Sequence, residues 1–227
     1  MRCEEIIYIL KSNSNPQNTE NMSRYGINTS KAFGIPIPFL RDLAKDIGKN
    51  HSLALELWKS GYHEARILAA FVDEIGKVTD KQMNTWVNDF DSWDMCDQCC
   101  GGLFDKTKFA YKKAVEWSKS SMAFVKRAGF VMMASLAVHD KKASNSEFVK
   151  FLPIIVKYSN DERNFVKKAV NWALRQIGKR NLFLNQKAIK IAEEILKNDS
   201  KAAKWIANDA LRELKSESVT KRLKMQI

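Results

Sequence analysis

Two tryptophans and one aspartate stand at positions where they could act on a ligand. In residues 92–102 (SWDMCDQCCGG), Trp93 and Asp97 are four apart and share one helical face. The apolar face of that helix is Met95, Cys96, Cys99, Cys100 and Leu103; Trp93 lies at its edge and Asp97 outside it. Gly101, one turn on, leaves room beside the carboxylate for a close backbone approach. In residues 164–179, Val166, Ala169, Val170, Ala173, Leu174 and Ile177 form one apolar stripe. Trp172 falls more than about 120° from its centre, beside Lys168, Arg175 and Lys179. An exposed indole forgoes about 1.5–3 kcal/mol of burial. The spacing therefore predicts a partner against Trp172, and the cations predict that the partner is anionic.

Charge points the same way. The 227 residues carry 38 Lys and Arg against 26 Asp and Glu, a net charge of +12. That balance exceeds what solubility needs and argues for a polyanion. On such a surface Asp97 is a repulsive element; it either pairs with a nearby cation or does something local. Arg127, flanked at helical spacing by Ala123, Phe124, Phe130 and Val131, must find an acceptor, whether a structural partner or a phosphate. Cys96, Cys99 and Cys100 invite a zinc reading, but only Cys3 remains as a fourth cysteine and His51, His63 and His139 lack ligand spacing. They are expected in the core, reduced, with no metal. There is no phosphate-binding Gly-rich loop, HExxH or Ser-centred nucleophile elbow.

The elements that must position these residues read as helices. Apolar periodicity places them near 3–12, 18–26, 36–48, 51–60, 63–76, 79–89, 91–103, 105–118, 121–138, 145–158, 162–178, 185–197 and 200–215. Residues 64–77, 125–138 and 166–179 align, bringing Arg66, Arg127 and Lys168 into one register. Residues 210–214 repeat 173–177 at an offset of 37. These periods predict an all-α, curved solenoid of HEAT-like or armadillo-like helix pairs. If the second helix of each pair lines its concave face, Arg66, Arg127, Lys168, Arg175 and Arg212 form a basic track along phosphates. The expected organisation is one domain over 1–227: a helical cap at 1–48, stacked pairs at 49–215 and a tail at 216–227. Trp58, Trp86, Trp117 and Trp205 are expected in the core. No apolar run approaches a membrane span, and the N-terminus lacks a signal-peptide pattern, so a cytoplasmic location, no membrane partner and a monomer are expected.

Several segments, in order, resemble the DNA alkylation-repair family of HEAT-like-repeat DNA glycosylases, the AlkD-like proteins. They are MSRY (22–25), FGIPIP (33–38) with Arg41, SWDMCD (92–97), KRA (126–128) and FVKKAVNWALR (165–175). The resemblance implies excision of N3- or N7-alkylated, positively charged purines from double-stranded DNA, without deep insertion of the base and without a cofactor. It implies that Asp97 stabilises charge on the sugar, that Trp93 and Trp172 flank the lesion and face one cleft, and that Tyr25 assists. Arg127, Lys168, Arg175 and Lys179 would hold phosphates. Two other readings are a non-catalytic solenoid that binds distorted or branched DNA and a protein–protein adaptor. The adaptor leaves Trp172 and its cations unexplained.

Overall fold

The computed structural model describes residues 1–225; of the expected tail, Gln226 and Ile227 lie outside the described residues. The described residues hold fifteen α-helices and no strand. They cluster into two compact units, Met1–Lys108 and Phe109–Ile227.

The first unit contains α1 (Cys3–Ser12), α2 (Pro16–Arg24), α3 (Ile37–Ile47), α4 (His51–Lys59), α5 (His63–Val72), α6 (Asp80–Asn88) and α7 (Trp93–Gly102). Side-chain caps start several of them: Asn15, Asn50 and Thr79 accept from the backbone N–H three residues on, satisfying donors a helix leaves open at its start. Helix α5 is the hub, packing against α3, α4 and α7. Contact on several sides explains why nearly all of its residues are buried, including His63 and Glu64. Trp58 and Trp86 stack in parallel with centroids 4.0 Å apart, a pairing worth about 0.5–1.5 kcal/mol beyond its buried area.

The second unit contains α8 (Ala110–Trp117), α9 (Ala123–His139), α10 (Asn145–Val149), α11 (Leu152–Lys157), α12 (Asn164–Gly178), α13 (Leu182–Leu196), α14 (Lys201–Leu214) and α15 (Glu217–Lys224). Helix α12 packs against α9, α13 and α14; α8 packs against α9, and α13 against α14. The segments aligned by sequence repetition thus fall on α5, α9 and α12. Helix α9 is buried continuously from Val125 to Ala137, as expected of a helix covered on both flanks.

Four local expectations differ from the structure. The helix expected at 145–158 is two, because Pro153 lacks an N–H and its ring would clash with the carbonyl of Val149. The helix expected at 105–118 starts at Ala110; before it lies a 3₁₀ turn, and Thr107 folds its hydroxyl back onto the Phe104 carbonyl. The stretch after 216 carries α15, capped by Ser216 and anchored through Val219 and Leu223. Trp205 is 41% exposed rather than in the core, with Lys167 Nζ 5.1 Å from its ring. Trp58, Trp86 and Trp117 are buried as expected.

Gly129 is where α9 meets the end of α8 backbone to backbone. A Cβ there would lie 2.3 Å from the Ser118 nitrogen and 2.9 Å from the Trp117 carbonyl carbon. Neither atom can rotate away, so Gly129→Ala should lower unfolding free energy by about 2 kcal/mol or more, read as a fall in the urea midpoint.

Candidate functional site

The first unit brings Tyr25, Trp93 and Asp97 to the start of α7. Ser92, the residue before that helix, is buried. Its hydroxyl accepts from the Asn28 N–H at 2.9 Å and donates to Asp91 at 3.2 Å. Asn28 Nδ2 donates to Asp91 at 2.7 Å. The loop after α2 is thereby laced to the entrance of α7. One residue further, Trp93 Nε1 donates to the Tyr25 carbonyl at 3.1 Å. This bond fixes the indole at its polar edge and leaves the Tyr25 side chain 73% exposed. Asp97 follows Trp93 by one turn and is half-buried. Beside it, Gln98 accepts from Arg41, whose guanidinium lies over Phe71.

Two adjacent residues of α5 set this arrangement from below. The Glu64 carboxylate, fully buried, accepts from the backbone N–H groups of Phe33, Gly34 and Ile35 at 2.7–3.2 Å. Gly34 has φ +78°, and a Cβ on it would lie 2.2 Å from the Asn15 carbonyl, so only glycine follows this path. His63 Nε2 meets Asp94 of α7 at 2.8 Å. Burial alone would lower the His63 pKa, but the Asp94 hydrogen bond and charge, with Glu64 and Asp91, outweigh it and raise the pKa above the usual histidine value. Neither partner pair was visible in the sequence, because residues 31 apart share no helical period.

The cysteines take no part in this site. Cys96, Cys99 and Cys100 are fully buried. Burial raises Cys99 and Cys100 well above the usual thiol value, so they stay protonated. Among the described residues, no group of three His, Cys, Asp or Glu is placed to hold a metal ion.

The second unit holds Arg127, Lys168, Trp172, Arg175 and Lys179. All six apolar stripe residues of α12 are fully buried. Trp172, expected on the exposed face, is half-buried. Helix α12 is contacted from α9 and from α14, so its covered surface is wider than one stripe. The same packing buries Asn171, whose Nδ2 donates to Asp209 at 2.6 Å.

Two of the expected cations are turned inward to acids of α14. Arg175 pairs with Asp209 at 2.9 Å and with Glu213 at 3.0 Å, and Lys179 pairs with Glu213 at 2.6 Å. Arg212 also pairs with Asp209. Arg127 is 5% exposed and donates to the Phe165 carbonyl at 2.7 Å, so its acceptors include a structural one. Arg66, in the first unit, bonds to the Trp58 and Asp89 carbonyls and lies over Trp58. Of the track read from the sequence, Lys168 is the exposed member with no ion pair among the described residues. The acids were missed because Asp209 and Glu213 lie more than thirty residues from the cations they meet.

The architecture and these sites define a helical-repeat protein of the HEAT-like kind. Residues 6–214 match the model of the DNA alkylation repair enzyme family, and the chain belongs to that family. Among solved structures it is similar to one described as belonging to a new family of proteins related to the HEAT-like repeat DNA glycosylases with affinity for branched DNA structures. That likeness has a TM-score of 0.78 at 20% identity, over 94% of this chain and 96% of the other. An engineered protein (TM-score 0.38, 15% identity, 78% and 90% covered) and a designed armadillo repeat protein in complex with a (KR)4 peptide (TM-score 0.33, 14% identity, 82% and 88% covered) match much more loosely. No curated protein matches the chain. No described helix is long and apolar enough to cross a membrane.

Beside Arg127, Lys126 is tied down by Asp161, which also takes two bonds from Arg163 at 2.9 and 2.6 Å. The Arg163 hydrogen bond, helped by Lys126 and opposed by burial, lowers the Asp161 pKa from 3.8 to about 2. A lowered carboxylate pKa contributes stability above its unfolded value and loses it as pH falls through the folded one. Asp161→Asn should therefore flatten the loss of stability between pH 3.8 and about 2, measured by urea unfolding at stepped pH.

Proposed function

We propose that the chain is a monofunctional DNA glycosylase that hydrolyses the N-glycosidic bond of N3- or N7-alkylated purines in duplex DNA. It leaves an abasic site without deep flipping of the base. The observation that carries this reading is Asp97 one helical turn from Trp93, whose indole is fastened to the Tyr25 loop, in a chain of the DNA alkylation repair family with a net charge of +12.

An alkylated purine carries a formal positive charge, so it departs with the bonding electrons and becomes neutral. The deoxyribose is left oxocarbenium-like, and water adds at C1′. Asp97 supplies the negative charge that stabilises this cation and accepts or orients the proton of the attacking water. Trp93 and Tyr25 offer ring faces to a cationic nucleotide, and Trp172 offers its ring to the bound DNA. Lys168 contacts a phosphate directly. Arg175 and Lys179 reach phosphates by exchanging the carboxylates of Asp209 and Glu213 for them, and Arg127 supports the same helix from within. The chemistry calls for no cofactor, because the leaving group is already activated.

A second reading is binding of branched DNA without catalysis. It is favoured by the structure at TM-score 0.78, whose protein belongs to a family described as having affinity for branched DNA.

Release of methylated purines from alkylated duplex DNA separates the two. The glycosylase reading expects release by the native chain, reduced about 100-fold or more in Asp97→Asn, with DNA affinity retained. Absence of release by the native chain, with tighter binding to a four-way junction than to duplex, sinks it in favour of the second. On either reading, Lys168→Ala should weaken binding across sequences and lower the slope of log K against log salt by about 1, measured by fluorescence anisotropy.

A further inference from the structure

A cleft of about 210 Å³ lies within the first unit, lined by Asn28, Ser30, Lys31, Gly61, His63, Arg66, Asp91 and Met95. Nothing in the reaction above uses it. His63, at the first position of α5, is only 3% exposed. Its Nε2 faces Asp94, a carboxylate that can only accept, so Nε2 carries a proton. The other ring nitrogen, Nδ1, is buried without any partner. A buried polar atom left so is costly unless something meets it there.

The remaining lining shows what that would be. The Lys31 ammonium makes no ion pair or hydrogen bond among the described residues and lies 3.5 Å from where a Cβ on Gly61 would stand. Ser30 adds a hydroxyl, and Arg66, paired with Asp89 at 3.7 Å, a guanidinium in the lining. The one carboxylate in the lining, Asp91, is turned to its own loop: it accepts from Asn28 Nδ2 and from the Ser92 hydroxyl. Among the described residues Lys31 is thus the unpaired cation of the lining; a second proton on His63 places a further donor at Nδ1.

We propose that this cleft is an oxyanion subsite that takes one phosphate group, held by His63 Nδ1–H, the Lys31 ammonium and the Ser30 hydroxyl. The groups facing His63 are Asp94 from α7, Glu64 from its own helix, Asp91 from the loop before α7, and Lys31 and Arg66 along the cleft. The three carboxylates favour its charged form, which lets Nδ1 donate. The phosphate is either a backbone phosphodiester of bound nucleic acid or the phosphate of a small molecule. Only the first source rests on the DNA reading above; the subsite itself does not.

The test follows the His63 ring protons by NMR through a pH titration. Inorganic phosphate is exchanged for chloride at constant ionic strength. The expected result is a rise in the His63 midpoint of about half a pH unit or more, reduced by more than half in Lys31→Ala, a change at an exposed side chain. A second arm adds a short undamaged duplex. A rise with duplex as well assigns the phosphate to the nucleic-acid backbone. A rise with phosphate but not with duplex assigns the subsite to a small phosphate-bearing molecule. A His63 midpoint that phosphate does not move overturns the proposal, whatever the duplex does. Base release is assayed separately, so loss of the glycosylase reading leaves the phosphate arm standing.

Discussion

The candidate site in the first unit depends on two adjacent buried polar side chains at the start of α5. Glu64 gathers three backbone N–H groups of the loop at 33–35, and His63 takes the first-turn carboxylate of α7. A buried carboxylate without such donors would be severely penalised, so the loop cannot leave Glu64 without exposing that cost. The loop and α7 are therefore indexed to the same helix, one through each residue. Tyr25 and Trp93 inherit their meeting from this arrangement, and the hydrogen bond between them is its outer seam.

Much of this was legible in the sequence, and the reason is periodicity. The apolar stripe of α12 and the placement of Trp93 and Asp97 on one face follow from a 3.6-residue period, and the alignment of α5, α9 and α12 from repetition of whole segments; a chain shows both openly. Pairings between helices leave no such trace. Asp209 and Glu213 belong to a helix whose own pattern is ordinary, yet they decide what Arg175 and Lys179 do. Trp172 illustrates the same limit: its angle from the stripe was correct, but a helix covered from two sides hides more than its stripe. Pro153 was visible to local reasoning, whereas the hydroxyl of Thr107 had several plausible uses until its neighbours were in place.

The charge of the chain also reads differently by region. A net +12 is a property of the whole molecule and says little about any one face. Along α12 the positive side chains alternate between the exposed Lys168 and the paired Arg175 and Lys179. Cations held by exchangeable carboxylates give an anionic ligand a smaller net gain than unpaired ones, because each new contact replaces an old one. They also keep the side chains extended and ordered before any ligand arrives.

The buried cysteines carry a consequence for the kind of repair open to this chain. Removing an alkyl group by moving it onto sulfur requires a thiolate that the electrophile can reach. Cys96, Cys99 and Cys100 are sealed in the core on the buried face of α7, with the last two held protonated, and burial raises half-covered Cys3 as well. Cys96, Cys99 and Cys100 therefore offer no thiolate that an electrophile can reach, which leaves partly covered Cys3 as the one cysteine open to solvent.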